Sequence, residues 1–145
     1  MVKNLQVFSN DPGIKKYLVH SLISGLKKEF KLNISSLFIS FIKSEYLREI
    51  NKSYLKHDYN TDVITFDYSK GRKFIDGEIL ISIDEARLNA KKFKVTYGLE
   101  LTRLVIHGML HLLKFDDKDA IRKKIMKKKE NKLINKFNFT LFAGR

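Results

Sequence analysis

The stretch that most constrains the fold is VTYGLELTRLVIHGMLHLL at residues 95–113, because it predicts one long and strongly apolar helix. A helix with so few polar side chains is buried on most of its surface, so we expect it to be the central helix of the protein. It also carries two of the four histidines of the chain, His107 and His111. A pair of histidines is therefore expected next to the core.

The other periodicities of the sequence predict short strands and further helices around this central helix. Strands are expected at residues 5–9, 33–42, 61–68 and 77–83. Helices are expected at residues 13–30, 44–55, 84–93 and 118–137. Asn10 or Asp11 is expected to cap the first of these helices, with Pro12 in its first turn.

The chain shows no internal repeat and no linker, and 145 residues suit one domain with one sizeable core. Strands dominate the first half and helices the second, with helices interleaved. We therefore predict a single α+β domain over residues 1–145, in which a small mixed sheet of about four strands is covered by about five helices.

The composition limits the classes of partner and ligand. Lysine and arginine number 29 against 16 acidic residues, and the resulting net charge of +13 predicts a polyanionic partner, nucleic acid before an anionic membrane. The absence of cysteine excludes a disulfide framework and restricts metal ligands to His, Asp and Glu. The N-terminus lacks the apolar core of a signal peptide, and no apolar run approaches the ~18 residues of a membrane span. We expect a soluble cytoplasmic protein.

The spacing of the two histidines predicts that both can point at one metal ion, since residues four apart lie on one face of a helix. Catalytic zinc sites commonly combine three protein ligands with a water. Asp117 follows His111 by six residues, which is long enough for a turn back toward the helix. Spacing alone leaves alternatives open: the histidines are equally consistent with hydrogen-bonded core residues, and Asp117 is favoured as the cap of the following helix.

The same helix differs from the HExxH motif of zinc peptidases, because Gly108 stands where their catalytic glutamate would be. This difference argues against a standard zinc peptidase. The base must then come from elsewhere, or a metal-bound hydroxide must itself be the nucleophile.

Three stretches resemble motifs of the YbeY family of single-strand-specific endoribonucleases, which act in ribosomal RNA maturation. HGMLHLLKFDD at 107–117 resembles the family's H-G-x-L-H-L-x-G-Y-D-H signature. NKSYLKHDYNTDVITFDY at 51–68 resembles N-x-x-Y-R-x-x-D-x-x-T-D-V-L-S-F-P, and GEILISID at 77–84 resembles G-D-I-V-I-S. The order and spacing of the stretches also match. The resemblance implies a zinc-dependent RNA hydrolase with an α+β fold and one Zn²⁺ per chain.

The resemblance implies that His107, His111 and Asp117 are the metal ligands, with Asp117 in place of the family's third histidine. A carboxylate oxygen is an acceptable zinc ligand at a similar distance, although its charge weakens the Lewis acidity of the metal. The family's glycine in the return turn is replaced by Lys114. Because glycine supplies unusual backbone angles, we expect this turn to follow a different path.

Leu55 replaces an arginine that the family places in its catalytic or RNA-binding cleft. Lys56 or His57 could take part of that role, although an exposed loop histidine without a role is equally consistent. Lys56 therefore joins four other candidates for contact with RNA phosphates, drawn from the basic turn between the last two strands and from the basic run at 122–132. The RNA-binding candidates are Lys56, Arg72, Lys73, Lys123 and Lys127.

Hydrolysis of an RNA phosphodiester by a metal-activated water or hydroxide needs cations and acid–base groups around the metal. Arg103 lies one turn before His107, and its alternative is a solvated helix arginine. Glu78, at the start of a strand, is the best carboxylate for a general base or for a structural role, and its alternative is an exposed strand residue. The catalytic candidates are His107, His111, Glu78 and Arg103.

Two classes of function follow from these observations. The first is a zinc-dependent, single-strand-specific endoribonuclease of ribosomal RNA processing, with ribosomal RNA or the ribosomal subunit as its partner. The second is a basic ribosome-assembly factor that binds RNA, with a structural metal and little catalysis. A zinc hydrolase of another substrate is disfavoured by the missing HExxH glutamate and by the charge. The sequence leaves the oligomeric state open.

Overall fold

The computed structural model describes residues 1–56, 60–71 and 73–137. Its strands are β1 Leu5–Ser9, β2 Ile34–Ile42, β3 Val63–Asp67 and β4 Ile75–Ser82. Its helices are α1 Lys16–Phe30, α2 Ser44–Leu55, α3 Ile83–Phe93, α4 Tyr97–Leu112 and α5 Ala120–Phe137. The predicted α+β class is confirmed, with four strands and five helices among the described residues. Within these ranges no helix combines the length and apolarity that a membrane span requires.

The strands form one mixed sheet in the order β1-β2-β4-β3. The pairs β1·β2 and β2·β4 are parallel, whereas β3 runs antiparallel to β4. A parallel pair needs a crossover connection, and α1 provides it between β1 and β2. The helix that follows β4 leads directly into α4, which packs against β4 and the edge strand β3.

The main core lies between one face of the sheet and the helices α1, α4 and α5. α4 is the central helix, as predicted, since Leu101, Val105 and Ile106 are fully buried. Along a strand, alternate side chains point to opposite faces. The other face of the sheet therefore carries a second, smaller cluster beneath α2, built from Ile42, Leu47, Ile64 and Leu80.

Two glycines let α4 approach β4 closely. A Cβ at Gly108 would lie 2.7 Å from Cγ2 of Ile79, and a Cβ at Gly77 would lie 2.5 Å from the carbonyl oxygen of Phe66 and 3.0 Å from Cδ2 of Leu112. A larger side chain at either position would push the helix off the sheet. Gly108 thus faces the strand rather than the histidines, which explains in packing terms why no glutamate occupies this position.

The prediction for the start of the first helix was wrong. α1 begins at Lys16, and its N-cap Lys15 makes no side-chain capping bond. The carboxylate of Asp11 is used instead in a turn and in tertiary contacts. It accepts hydrogen bonds from the backbone N–H of Gly13 at 2.9 Å, from Arg87 at 2.8 Å and from the Tyr97 hydroxyl at 2.9 Å.

Candidate metal centre

Three side chains from the end of α4 and the turn after it converge on one point. The Nε2 atoms of His107 and His111 lie 3.1 Å apart. Oδ2 of Asp117 lies 3.7 Å from Nε2 of His107, and Oδ1 of Asp117 lies 3.8 Å from Nε2 of His111. All three side chains are partly exposed, so an ion and a small ligand can reach them.

The arrangement suits a small metal ion. A tetrahedral ion with bonds of about 2.0–2.2 Å separates its ligand atoms by about 3.3–3.6 Å. The two Nε2 atoms lie close to that range, and one ligand atom from each of the three residues lies within 4.8 Å of the others. The donor set of two imidazoles and one carboxylate is typical of catalytic zinc sites, whereas Mg²⁺ and Ca²⁺ prefer oxygen ligands alone. The three ligands would leave one tetrahedral position for water or substrate.

The cap that the sequence favoured at Asp117 lies at Asp119. The Asp119 side chain accepts a hydrogen bond from the backbone N–H of Arg122 at 2.8 Å, and its carbonyl accepts from the N–H of Lys123 at 2.9 Å. Asp116 accepts from the backbone N–H of Lys118 at 3.2 Å. Asp117 instead lies beside the histidines, with Oδ2 near Nε2 of His107 and Oδ1 near Nε2 of His111.

The return turn depends on Lys114, which has a positive φ of 76°. This is the left-handed region that glycine favours and that costs other residues roughly 1–2 kcal/mol. The lysine thus adopts the kind of conformation that glycine would supply, and the turn still brings the chain back to α4. Its ammonium group pairs with Asp67 at the end of β3 and donates to the Ser69 hydroxyl at 3.2 Å, which anchors the turn to the sheet.

Glu130 of α5, which the sequence analysis did not single out, contacts the side of the His107 ring opposite Nε2. Its Oε2 atom is hydrogen-bonded to Nδ1 of His107, and the side chain is only 6% exposed. A carboxylate on the second nitrogen fixes the orientation of a metal-binding imidazole and increases its basicity. The signal was present in the sequence: Glu130 is the acid within a lysine run, spaced from Met126 and Ile134 as one face of a helix.

The protonation of the two histidines differs because their surroundings differ. Burial lowers the pKa of His107, but the hydrogen bond to Glu130 and the negative charges of Glu130 and Asp117 outweigh it and raise the pKa above its ordinary value. Burial, followed by the charge of His107, lowers the pKa of His111. His111 is thus neutral at pH 7, the form in which imidazole binds metal.

Arg103 lies close to the centre, one turn before His107, but its guanidinium group is occupied. Nη1 lies 3.4 Å from Oε1 of Glu130 and donates to the Asn131 side chain at 3.0 Å, while Nε lies 3.8 Å from Glu100. The alternative of a solvated helix arginine is therefore wrong. The contacts indicate that Arg103 positions Glu130.

Glu78 is not brought to the histidines. It lies opposite Phe66 of β3 and on the other face of β4 from Ile79, the residue that packs against α4. Its carboxylate accepts a hydrogen bond from the Tyr68 hydroxyl at 2.6 Å. The prediction that Glu78 acts as a general base at the metal is wrong, because the alternation along β4 turns its side chain to the sheet face that α4 does not cover.

The candidates for RNA contact are spread over the surface. Lys56 is exposed at the end of α2, on the sheet face away from α4, and Lys73 is exposed just before β4. Lys123 and Lys127 are exposed on α5, the helix that also carries Glu130. Arg72 and His57 lie outside the described residues.

A cavity of about 350 Å³ lies beside His107 and is lined in part by buried polar groups. Asn89 donates to Asp62 at 3.0 Å and to Oε2 of Glu100 at 3.2 Å. Oε1 of Glu100 has no hydrogen-bond partner within the described part of the chain, and burial raises the pKa of this carboxyl. The candidate metal centre therefore borders a cavity whose walls carry carboxyl and amide groups.

Comparison with known proteins identifies the family. A profile of the family described as Endoribonuclease YbeY matches residues 5–138. Endoribonuclease YbeY of Parabacteroides distasonis is 40% identical over 123 residues, which cover 85% of this chain and 86% of that protein. Endoribonuclease YbeY of Chlorobium limicola is 40% identical over 124 residues, which cover 86% and 85%.

A solved structure supports the fold. The solution structure of TM1509 from Thermotoga maritima matches with a TM-score of 0.62 and 23% identity, covering 92% of this chain and 91% of that one. At this identity the likeness concerns the fold alone, whereas the profile and the sequence relatives extend over most of the chain. The chain therefore belongs to the endoribonuclease YbeY family.

Proposed function

We propose that the protein is a zinc-dependent, single-strand-specific endoribonuclease that processes ribosomal RNA in the cytoplasm. The observation that carries the proposal is the convergence of His107, His111 and Asp117, because two imidazoles and one carboxylate are a donor set typical of catalytic zinc sites. Relatives of 40% identity that bear the name endoribonuclease support the reaction class. The net charge of +13 supports a polyanionic substrate.

In this proposal the two Nε2 atoms and one oxygen of Asp117 would hold the ion. A bound zinc lowers the pKa of its water to about 7 and polarises a phosphoryl oxygen. Glu130 keeps the His107 ring turned so that Nε2 faces His111 and Asp117, and Arg103 in turn holds Glu130. Asp117 would contribute a negative charge, so a zinc ion held here would be a weaker Lewis acid than one held by three imidazoles.

The RNA backbone would be held by exposed cations rather than by Arg103, because the guanidinium group of Arg103 is already paired. We assign this role first to Lys123 and Lys127, which lie on the solvent side of the helix that carries Glu130. Lys56, Arg72 and Lys73 remain candidates for contacts farther from the ion. Phosphate contacts of this kind position the strand without reading its sequence.

The decisive experiment compares cleavage of a single-stranded ribosomal RNA fragment by identically purified wild type and variants. His107→Ala and Asp117→Asn should lose bound zinc and cleavage together, with the metal measured by elemental analysis. Asp119→Asn is the matched control, since it changes the neighbouring aspartate that caps α5, and it should retain both.

Each other result has a defined meaning. Equal cleavage by wild type and His107→Ala would indicate a contaminating nuclease and would contradict the proposal. Zinc and RNA binding without any cleavage by wild type would favour the basic ribosome-assembly factor with a structural metal. Equal cleavage of a matched RNA duplex would contradict the preference for single strands.

A further inference from the structure

A groove of about 840 Å³ runs along α1, away from the metal centre. One wall is the helix, and the other is the segment that leads into β1. None of its lining residues lines the cavity beside His107. The groove is therefore a separate feature of the surface.

The charge of the groove is of one sign. Lys3, Lys27 and Lys28 line it, and no residue that lines it in the described part of the chain is acidic. Glu29, which follows the two lysines on α1, pairs with Lys136 of α5. A cleft lined by charges of one sign attracts counter-ions of the other sign more strongly than a flat surface does.

The polar side chains of the groove form a row along the helix. Tyr17, Ser21, Ser24 and Lys28 recur every three or four residues, so they share one face of α1. The row spans roughly 16 Å at 1.5 Å per residue. A stacked strand rises about 3.4 Å per nucleotide, so this length accommodates several nucleotides.

The second wall is fixed by a hydrogen bond at the floor of the groove. Nδ1 of His20, a residue only 8% exposed, accepts from the backbone N–H of Val2 at 3.1 Å. This bond ties the segment that carries Lys3 to α1. The three lysines therefore come from two elements that are held together, and not from a single mobile run.

We infer that this groove binds the backbone of single-stranded RNA, as a second contact for the substrate outside the metal centre. The lysines would pair with phosphates, and the hydroxyl groups of Ser21 and Ser24 would donate to phosphate oxygens. Tyr17 is 63% exposed at one end of the row and would stack on an unpaired base. The inference rests on the proposed function, since it names a second site for the same substrate.

The first test removes two positive charges from the groove. Lys27→Gln/Lys28→Gln should weaken binding of a 20-nucleotide single-stranded RNA, measured by fluorescence anisotropy with a chelator present so that no RNA is cleaved. Each lost phosphate contact lowers the slope of log affinity against log salt by about 0.7, so the double variant should lose about 1.4. The matched control is Lys43→Gln/Lys52→Gln, which removes the same charge from α2 and the residue before it, on the other sheet face, and should keep the slope.

The second test concerns stacking. Tyr17→Leu should weaken binding at least about five-fold, since a stacked base contributes roughly 1–3 kcal/mol. Tyr46→Leu is the control, because Tyr46 is similarly exposed, at 54%, but lies on α2. Thermal unfolding followed by circular dichroism checks that each variant folds. If the lysine variant does not fold, the comparison of Tyr17→Leu with Tyr46→Leu still tests the groove.

The outcomes separate the groove from the reaction. Equal losses in the groove and control variants, or no loss in either, would overturn the groove as an RNA site. Binding of phosphatidylglycerol vesicles through Lys27 and Lys28 without any effect on RNA would overturn it as well. If wild type cleaves no RNA, the proposed reaction fails while the binding result still decides the groove.

Discussion

Replacing Glu130 with glutamine should weaken zinc binding about 10- to 100-fold, although Glu130 itself would not touch the metal. Glutamine keeps the size of the side chain and can still accept from Nδ1 of His107, but it removes the charge that makes the imidazole a stronger donor. The expected factor corresponds to about 1.4–2.7 kcal/mol of binding free energy.

This factor applies at a pH where protons do not compete with zinc for His107. Glu130 also raises the pKa of His107 in the metal-free protein, so a proton on His107 competes with zinc up to a higher pH than it would on an ordinary histidine. In Glu130→Gln the proton competes less strongly with zinc for His107. At lower pH this difference would mask part of the loss of zinc affinity. The larger difference in zinc affinity is therefore expected at the higher pH of a series that starts near the ordinary histidine pKa of 6.5.

The assay is a zinc titration in competition with a chromophoric chelator. Glu29→Gln is the matched control, since it removes a carboxylate that is paired with Lys136 and lies away from the metal centre. Unchanged affinity in Glu130→Gln, with folding verified by circular dichroism, would refute the argument that the carboxylate on Nδ1 tunes the site. An equal loss in both variants would indicate an effect of net charge alone.

Three further predictions concern stability, each measured by denaturant unfolding of the metal-free protein. Lys114→Gly should be more stable than Lys114→Ala by about 1 kcal/mol. Both variants lose the ion pair with Asp67, and only glycine adopts the positive φ without strain. Equal stabilities would contradict the claim that this backbone conformation is strained. Glu100→Gln should be more stable than wild type at pH 7 and equally stable well below pH 4.5, the ordinary pKa of the carboxyl. The reason is that the raised pKa of Glu100 destabilises the folded wild-type protein as the pH rises above 4.5. The raised pKa of His107 makes the wild type lose stability as the pH rises above 6.5, and this loss should be absent in Glu130→Gln.

The fold was largely predictable because its strongest signals are local. The apolar period of α4 and the four-residue spacing of its histidines depend only on helix geometry. The start of α1 was not predictable in the same way, since Asp11 is recruited by Arg87 and Tyr97, residues more than seventy positions away in sequence.

The candidate site shows the same division between local and distant contacts. The stretch DDKDA contains three aspartates, and which of them caps α5 is decided by where the helix begins. Glu130 was hidden because its partner His107 is 23 residues away, whereas the surrounding lysines gave the run the pattern of a solvated surface. For Glu78 the strand alternation was readable, but the sheet face that α4 would cover was not.

The close contact between Gly108 and Ile79 has a consequence for redesign of the candidate metal centre. The packing of Gly108 on Ile79 fixes how closely the helix that carries both histidines approaches the strand beneath it. The spacing of the two histidines along that helix comes from helix geometry alone. Changing side chains in the exposed turn would alter the third ligand alone. A larger side chain at position 79 would move both histidines together relative to the turn, without changing their spacing along the helix.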